Sequence, residues 1–221
     1  MRSNSAKPWT SRSPTSTITL RVRFARSEPA RSKSVNIPNL ITVSRLVVTA
    51  AVFVCLEWIQ NPEQPDAVLG WLAFGLFLLA AVTDFLDGHL ARKWGMVTAF
   101  GRVADPFADK VLISGSLVVL LQFPSATTVL TTWYVVIVIA REFLVTAIRG
   151  LVEGAGRPFP ADRLGKYKMV AQCWTTAALI TMVAGTDVLE WAAIAGFWVS
   201  LVLTVVSGIN YVYKARGDLF A

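Results

Sequence analysis

The sequence predicts an all-α, polytopic membrane protein with six transmembrane helices and both termini cytoplasmic. Three observations predict it: the apolarity of the chain, the recurrence of segments of bilayer length, and the uneven placement of Lys and Arg. Of 221 residues, 54% are hydrophobic and 16% charged, with a mean hydropathy of +0.55, a balance far from that of a soluble domain. From Pro38 onward the apolar segments run approximately 38–59, 67–92, 105–123, 127–150, 166–185 and 188–213, each near the ~20 residues that cross a bilayer as helix.

The breaks between them alternate in charge. Asn61 to Asp66, Phe123-Pro124-Ser125 and Gly185-Thr186-Asp187 hold turn formers and no Lys or Arg. The other connections hold Arg92, Lys93 and Arg102, then Arg149, Arg157, Arg163, Lys166 and Lys168, and Lys214 and Arg216 follow the last segment. The positive-inside rule places these basic loops and both ends in the cytoplasm. A helix from Ala67 to Lys93 would be about 40 Å long against a hydrocarbon core of ~30 Å, so its charged last turns should emerge at that face.

Residues 1–34 stand apart as a basic tail ahead of a membrane domain over 35–221. The tail holds eight Lys or Arg against the single acid Glu28, and the remainder carries 13 basic and 13 acidic residues. Rich in Ser, Arg, Pro and Thr without an apolar period, it reads as disordered. An Arg- and Ser-rich start also fits an organellar transit peptide, but a cytoplasmic extension in a bacterial inner membrane is the simpler reading. With the excess charge confined to the tail, no nucleic-acid partner is expected; membrane lipids with anionic headgroups are. Cys55 and Cys173 lie in apolar runs and read as packing residues. Trp58, Trp133 and Trp191, near segment ends, read as interfacial anchors.

The chemistry gathers at the second and third segments. Asp84, Asp87, Gly88 and Ala91 fall within an arc of about 100° on one helix face, and Asp105 and Asp109, four apart, share a face of the next helix. Pro106 suits the first turn of that helix. Antiparallel neighbours joined by a short loop can turn both aspartate pairs to one cavity. A membrane acid costs ~2.5–3.5 kcal/mol on insertion scales and like charges repel, so apolar packing alone would not select this arrangement. A divalent cation reverses the sign, and an all-carboxylate donor set favours Mg²⁺, Mn²⁺ or Ca²⁺ over zinc or copper. Small residues at Gly88, Ala91 and Gly101 would let a phosphate approach the backbone beside the metal, although close helix packing also uses them.

The pattern Asp84-x2-Asp87-Gly88-x2-Ala91-Arg92-x8-Gly101-x3-Asp105-x3-Asp109 resembles the signature of the CDP-alcohol phosphatidyltransferases, with every fixed position filled, and the six-segment arrangement extends the resemblance over about residues 36–214. The resemblance implies that Asp84, Asp87 and Asp105 are metal ligands, and that Asp109 both binds metal and takes the proton of the acceptor hydroxyl. It further implies that Gly88, Arg92 and Thr98 hold the CDP moiety, joined by Asn39 and Thr42 of an Asn-x-x-Thr at the start of the first segment. Two ions, Mg²⁺ or Mn²⁺, would suit the phosphoryl chemistry. A homodimer is implied as well.

The acceptor is read from looser matches. Asn36 to Arg45, Ala140-Arg141-Glu142 with Arg149, and Gly165-Lys166-Tyr167-Lys168 with Gln172 resemble segments of bacterial phosphatidylglycerophosphate synthases. They imply CDP-diacylglycerol as donor and glycerol 3-phosphate as acceptor. An anionic acceptor needs cations, and Arg141, Arg149, Lys166 and Lys168 are the candidates for its phosphate. Arg141 and Glu142 inside an apolar run are expensive unless both face a polar cavity. Lys166 and Lys168 also fit ordinary positive-inside flanking, and Arg45 fits a headgroup or helix-flank role. The alternatives are a sibling enzyme acting on inositol phosphate, serine or phosphatidylglycerol and, from another class, a divalent-cation transporter. The transporter predicts acids spread through the bilayer depth, whereas these gather at one level.

Overall fold

A computed structural model describes residues 37–94, 99–156 and 162–219, with side chains described within 43–84, 107–156, 162–186 and 188–216. The expected tail, residues 1–34, lies outside the described residues. Among these the chain is helical throughout: α1 (Ile37–Glu57), α2 (Ala67–Trp94), α3 (Ala99–Leu120), α4 (Pro124–Thr127), α5 (Thr132–Gly154), α6 (Arg163–Val183), a 3₁₀ turn at Asp187–Leu189, and α7 (Glu190–Leu219). Six of the seven helices are 21–30 residues long, one for each expected apolar segment.

The ends are set by local chemistry. Asp66 caps α2, its Oδ1 accepting from the backbone N–H of Val68 at 2.8 Å and of Leu69 at 3.4 Å, so two donors that lack helical partners are satisfied. At the far end of α6, Gly185 adopts φ 82°. The Gly185 N–H donates to the Met182 carbonyl and that of Thr186 to the Thr181 carbonyl, each at 3.1 Å, a Schellman closure that needs a residue without Cβ strain.

Two expectations about boundaries are corrected. The third helix begins at Ala99, not at Asp105, so Pro106 is an interior residue instead of a first-turn one. It offers no N–H to the Arg102 carbonyl, which membrane helices tolerate when neighbours re-satisfy the freed group. Between the third and fourth long helices the chain forms the extra turn α4, and α5 starts at Thr132, not near 127. Pro124 initiates that turn at the first helical position.

Helix α1 packs along α2 and α3, α6 along α7 and α2, and α5 along α7 and α3. At Gly196 a Cβ would sit 2.7 Å from Thr175 Oγ1; the missing side chain brings α7 against α6. One apolar core occupies one end of the bundle, formed by Val52 and Leu56 of α1, Phe77 of α2, Leu117 and Leu120 of α3, Val138 of α5, Leu179 and Ile180 of α6 and Phe197 of α7. Arg45, Asp84, Asp109, Arg141, Lys168 and Tyr211 stand beyond that core along the same helices, which sets a polar site beside an apolar floor.

Polarity runs opposite to that of a soluble protein. Arg45, Lys168, Gln172, Thr175, Thr176, Ser200, Thr204 and Ser207 are buried, whereas Val68, Phe143, Val170 and Ile209 are 64–76% exposed. Such an apolar exterior needs a nonaqueous neighbour. Two stretches, Ala67–Asp84 and Glu190–Arg216, are long and apolar enough to cross a membrane by length and composition. Of the other long helices, α1 and α3 extend beyond the described side chains, and α5 and α6 carry the charged residues of the site.

Candidate active site

Asp84, in the second half of α2, and Asp109, in the middle of α3, meet through a residue of α1. Arg45 Nη1 lies 2.8 Å from Asp84 Oδ1 and 3.5 Å from Asp109 Oδ1, with the Arg45 side chain only 2% exposed and the carboxylates 21% and 24% exposed. Three helices therefore converge on one guanidinium nitrogen. This corrects the headgroup or helix-flank reading of Arg45. The signal was in the sequence, because an arginine eight residues into an apolar helix is as expensive as Arg141 is, and calls for an acidic partner.

The same geometry tests whether a divalent ion fits. Two carboxylates from different helices already share one cationic neighbour, and both are partly open rather than sealed by packing. Hard oxygen donors so arranged suit Mg²⁺ or Mn²⁺. The side chains of Asp87 and Asp105 lie outside the described residues. So do those of Asn39, Thr42, Gly88, Ala91, Arg92, Thr98 and Gly101.

Asp109 also lines a cavity of about 740 Å³ walled by α3, α5, α6 and α7. Arg141, Arg149, Lys166 and Lys168, named from sequence as acceptor cations, all line it, together with Lys110, Glu142, Asp162 and Tyr211. The expected polar cavity facing Arg141 and Glu142 is present. Lys166 is exposed at its rim, while Lys168 is buried; ordinary flanking describes the first but not the second.

Inside the cavity the charges are tied to one another. Glu142 Oε1 accepts from Arg141 Nη1 at 3.2 Å and from the Lys168 ammonium. Arg141 Nη2 donates to Ser207 Oγ at 3.0 Å, and its guanidinium lies 5.6 Å from the centre of the Tyr211 ring. Arg149 Nη2 donates to the Tyr211 hydroxyl at 3.1 Å, as does the Asp162 backbone N–H at 3.0 Å. Lys110 donates to Thr146 Oγ1 across α3 and α5. Sequence reasoning missed Lys110, Tyr211 and Asp162, whose spacing carries no motif of its own.

A hydroxyl ladder on α7 holds these groups in register. Ser200 lies 2.7 Å from the Tyr134 hydroxyl, Thr204 accepts from Gln172 at 3.1 Å, and Ser207 and Tyr211 accept from Arg141 and Arg149. Ser200, Thr204 and Ser207 each give their own proton to a carbonyl of their own helix, which leaves lone pairs for the neighbouring helix.

Asp162 ends the loop before α6. Burial pushes its carboxyl up, but the hydrogen bond and charge of Lys214, with Asn210 and the Arg163 backbone, outweigh that and hold it below the usual carboxylate value. Lys214 Nζ stands 3.3 Å away and Asn210 Nδ2 donates to the same oxygen.

Comparison with known proteins places this geometry. The family model described as CDP-alcohol phosphatidyltransferase matches residues 35–206. The chain belongs to the CDP-alcohol phosphatidyltransferase family. It is 34% identical over 186 residues to the CDP-diacylglycerol–glycerol-3-phosphate 3-phosphatidyltransferase of Bacillus subtilis, covering 81% of this chain and 94% of that one. Proteins of the same name from Rickettsia typhi and Salmonella paratyphi A are 34% and 35% identical, covering 84% and 83% of this chain and 99% and 97% of theirs. The family match encloses Arg45, Asp84, Asp109 and the cavity residues Lys110, Arg141, Arg149, Lys166 and Lys168.

Proposed function

We propose that this protein moves the phosphatidyl group of CDP-diacylglycerol to sn-glycerol 3-phosphate, giving phosphatidylglycerophosphate and CMP in phospholipid synthesis. The observation that carries the reading is the single cavity in which Asp109 stands beside Lys110, Arg141, Arg149, Lys166 and Lys168. A base among cations is what an acceptor with one reacting hydroxyl and one phosphate requires. The names and coverage of the relatives favour the same donor and acceptor.

In this mechanism the acceptor hydroxyl attacks the lipid-side phosphorus of the pyrophosphate. A new P–O bond forms as the P–O bond to CMP breaks. Asp109 takes the hydroxyl proton as the bond forms, since a carboxylate is too weak a base to remove it beforehand. Asp84, Asp87, Asp105 and Asp109 would hold the divalent metal, Mg²⁺ or Mn²⁺ as two ions, which supplies charge neutralisation at the pyrophosphate. Arg92, Gly88, Thr98, Asn39 and Thr42, with Ala91 and Gly101 giving backbone access, bind the CDP-lipid. The six long helices span a bacterial inner membrane with both termini and the cavity cytoplasmic, residues 1–34 form a tail against anionic lipid, and the protein works as a homodimer.

Purified protein in vesicles containing CDP-diacylglycerol, offered each alcohol in turn, tests the reading through CMP release. Release with glycerol 3-phosphate is expected. Release with serine, inositol phosphate or phosphatidylglycerol but not with glycerol 3-phosphate would reassign the acceptor. Divalent-metal flux into protein-loaded vesicles without CMP would reassign the class.

A further inference from the structure

A second concavity lies on the outer side of the bundle. Residues of α5 and α7 line a groove of about 570 Å³, in which Leu144, Val205, Ile209 and Tyr213 are exposed. Among the described residues it shares only Arg141 with the cavity that holds Asp109. Gly208 makes room for that side chain, since a Cβ there would sit 3.3 Å from Arg141 Cγ. On α7 the groove runs from Thr204, at the middle of the helix, to Arg216 in its last turn. That stretch is about 18 Å of helix, close to the ~15 Å of one leaflet's hydrocarbon.

Its polarity is concentrated at one end. Arg141 and Thr204 spend their polar ends inward, on Glu142 and Ser207 and on Gln172. At the end of α7 the exposed Arg216 guanidinium stacks 4.2 Å over the Tyr213 ring. Among the described residues no acid pairs with Arg216, whereas neighbouring Lys214 is taken by Asp162. An apolar trough of leaflet length ending in an uncompensated cation matches an amphiphile with an anionic head.

We infer that the groove between α5 and α7 seats one anionic phospholipid of the surrounding bilayer, with an acyl chain along Leu144, Val205 and Ile209 and its phosphate on Arg216. With no free carboxylate among the described residues at that end, a headgroup ammonium finds no partner, so a net anionic lipid is preferred over a zwitterionic one. The residues proposed for the CDP-lipid lie on α1, α2, α3 and the connection between the last two, and none of them lines this groove, so the occupant is not the donor. A second copy docked here about an axis along the bundle would bring its own Arg216 to the same level, cation against cation. A seated chain backs the Arg141 stem from outside, while the guanidinium of that residue holds Glu142 within.

Thermal midpoints of the full-length protein in neutral detergent, with no substrate present, test the seat. Phosphatidylglycerol should raise the midpoint by about 2–4 °C more than phosphatidylcholine of the same acyl chains. R216Q, which removes the cation, and A140F, which fills the groove from an exposed position on α5, should both lose that difference. V202F, also exposed but outside the groove, should keep it. Equal shifts from the two lipids in wild type overturn the assignment. So does a loss confined to R216Q, which means a headgroup contact without a seated chain, or to A140F, which means a chain without a held headgroup. If A140F instead converts a dimer to a monomer in light scattering, a second copy occupies the groove. If it raises KM for CDP-diacylglycerol more than about twofold, the donor does; either result overturns the inference. Because the midpoints need no turnover, reassigning the acceptor alcohol would leave this seat standing, and losing the seat would leave the acceptor assignment intact.

Discussion

Asp109 and Arg45 make opposite demands on the same few ångströms. Asp109→Asn keeps the size of the side chain and removes its basicity, so kcat should fall by roughly 10²–10⁴-fold while the thermal midpoint of the purified protein stays within a few degrees. A loss of folding in that variant would remove the case for Asp109 as the proton acceptor. Arg45→Gln leaves Asp84 and Asp109 repelling each other without their shared guanidinium. In metal-free protein it should destabilise by about 1–3 kcal/mol, less than a sealed ion pair because both carboxylates reach solvent. Added Mg²⁺ should narrow the gap in thermal midpoint between Arg45→Gln and wild type, and a gap indifferent to Mg²⁺ would mean that the arginine and the metal do not share those oxygens. Asp84 and Asp109 could be singled out because the aspartate motif repeats helical spacing, and the structure brings those two together on Arg45. The apolar surroundings of Arg45 signalled that it needs an acidic partner, but which partners was not legible, because they stand 39 and 64 positions away and nothing local marks them.

At the scale of elements, each long helix was legible from hydropathy and each turn from its Gly, Pro or Asp. What escaped was the start of α3, together with the extra turn α4 and the later start of α5. Ala99 to Ala104 are adequate helix formers, so the helix runs through the stretch ahead of Pro106 instead of beginning there. The ladder on α7 was equally invisible, since Ser200, Thr204, Ser207 and Tyr211 gain meaning only from the helices that face them. Each Ser or Thr rung should contribute about 0.5–1.5 kcal/mol. Thr204→Val should therefore lower stability by that order, measured as a drop in thermal midpoint, because it leaves the Gln172 amide at the cavity wall without its acceptor. Tyr211→Phe should do more, since it strips the hydroxyl from both Arg149 and the Asp162 N–H and should raise KM for the acceptor. Asp162 adds a pH dependence. With its carboxyl held below the usual value of about 4, its link to Lys214 contributes stability that is fully present above that value. It is lost as pH falls through the lowered one. The stability advantage of wild type over Asp162→Asn should thus shrink on acidification below about pH 4, measured as thermal midpoints across pH 3–6.

For the molecule as a whole, an interior of hydroxyls and charges beneath an exterior of Val, Trp and Leu fits lipid as the outer solvent. Phe143 and Val202 are 73% and 55% exposed near the middles of α5 and α7. Replacing either with Lys would cost a lipid-facing position ~2.5–3.5 kcal/mol on insertion scales and should reduce the membrane-inserted fraction in cells. Tolerance of both would argue that these faces meet water or protein. The bipolar layout also bears on how the chain is made. Arg45, Asp84 and Asp109 lie on the first three helices, so each of the two acids is synthesised after the guanidinium of α1 that it meets in the fold. The cavity waits longer: its α7 wall, with Tyr211, is translated last. A nascent chain thus carries the Arg45 contact, one guanidinium shared by two carboxylates, well before α7 completes the cavity.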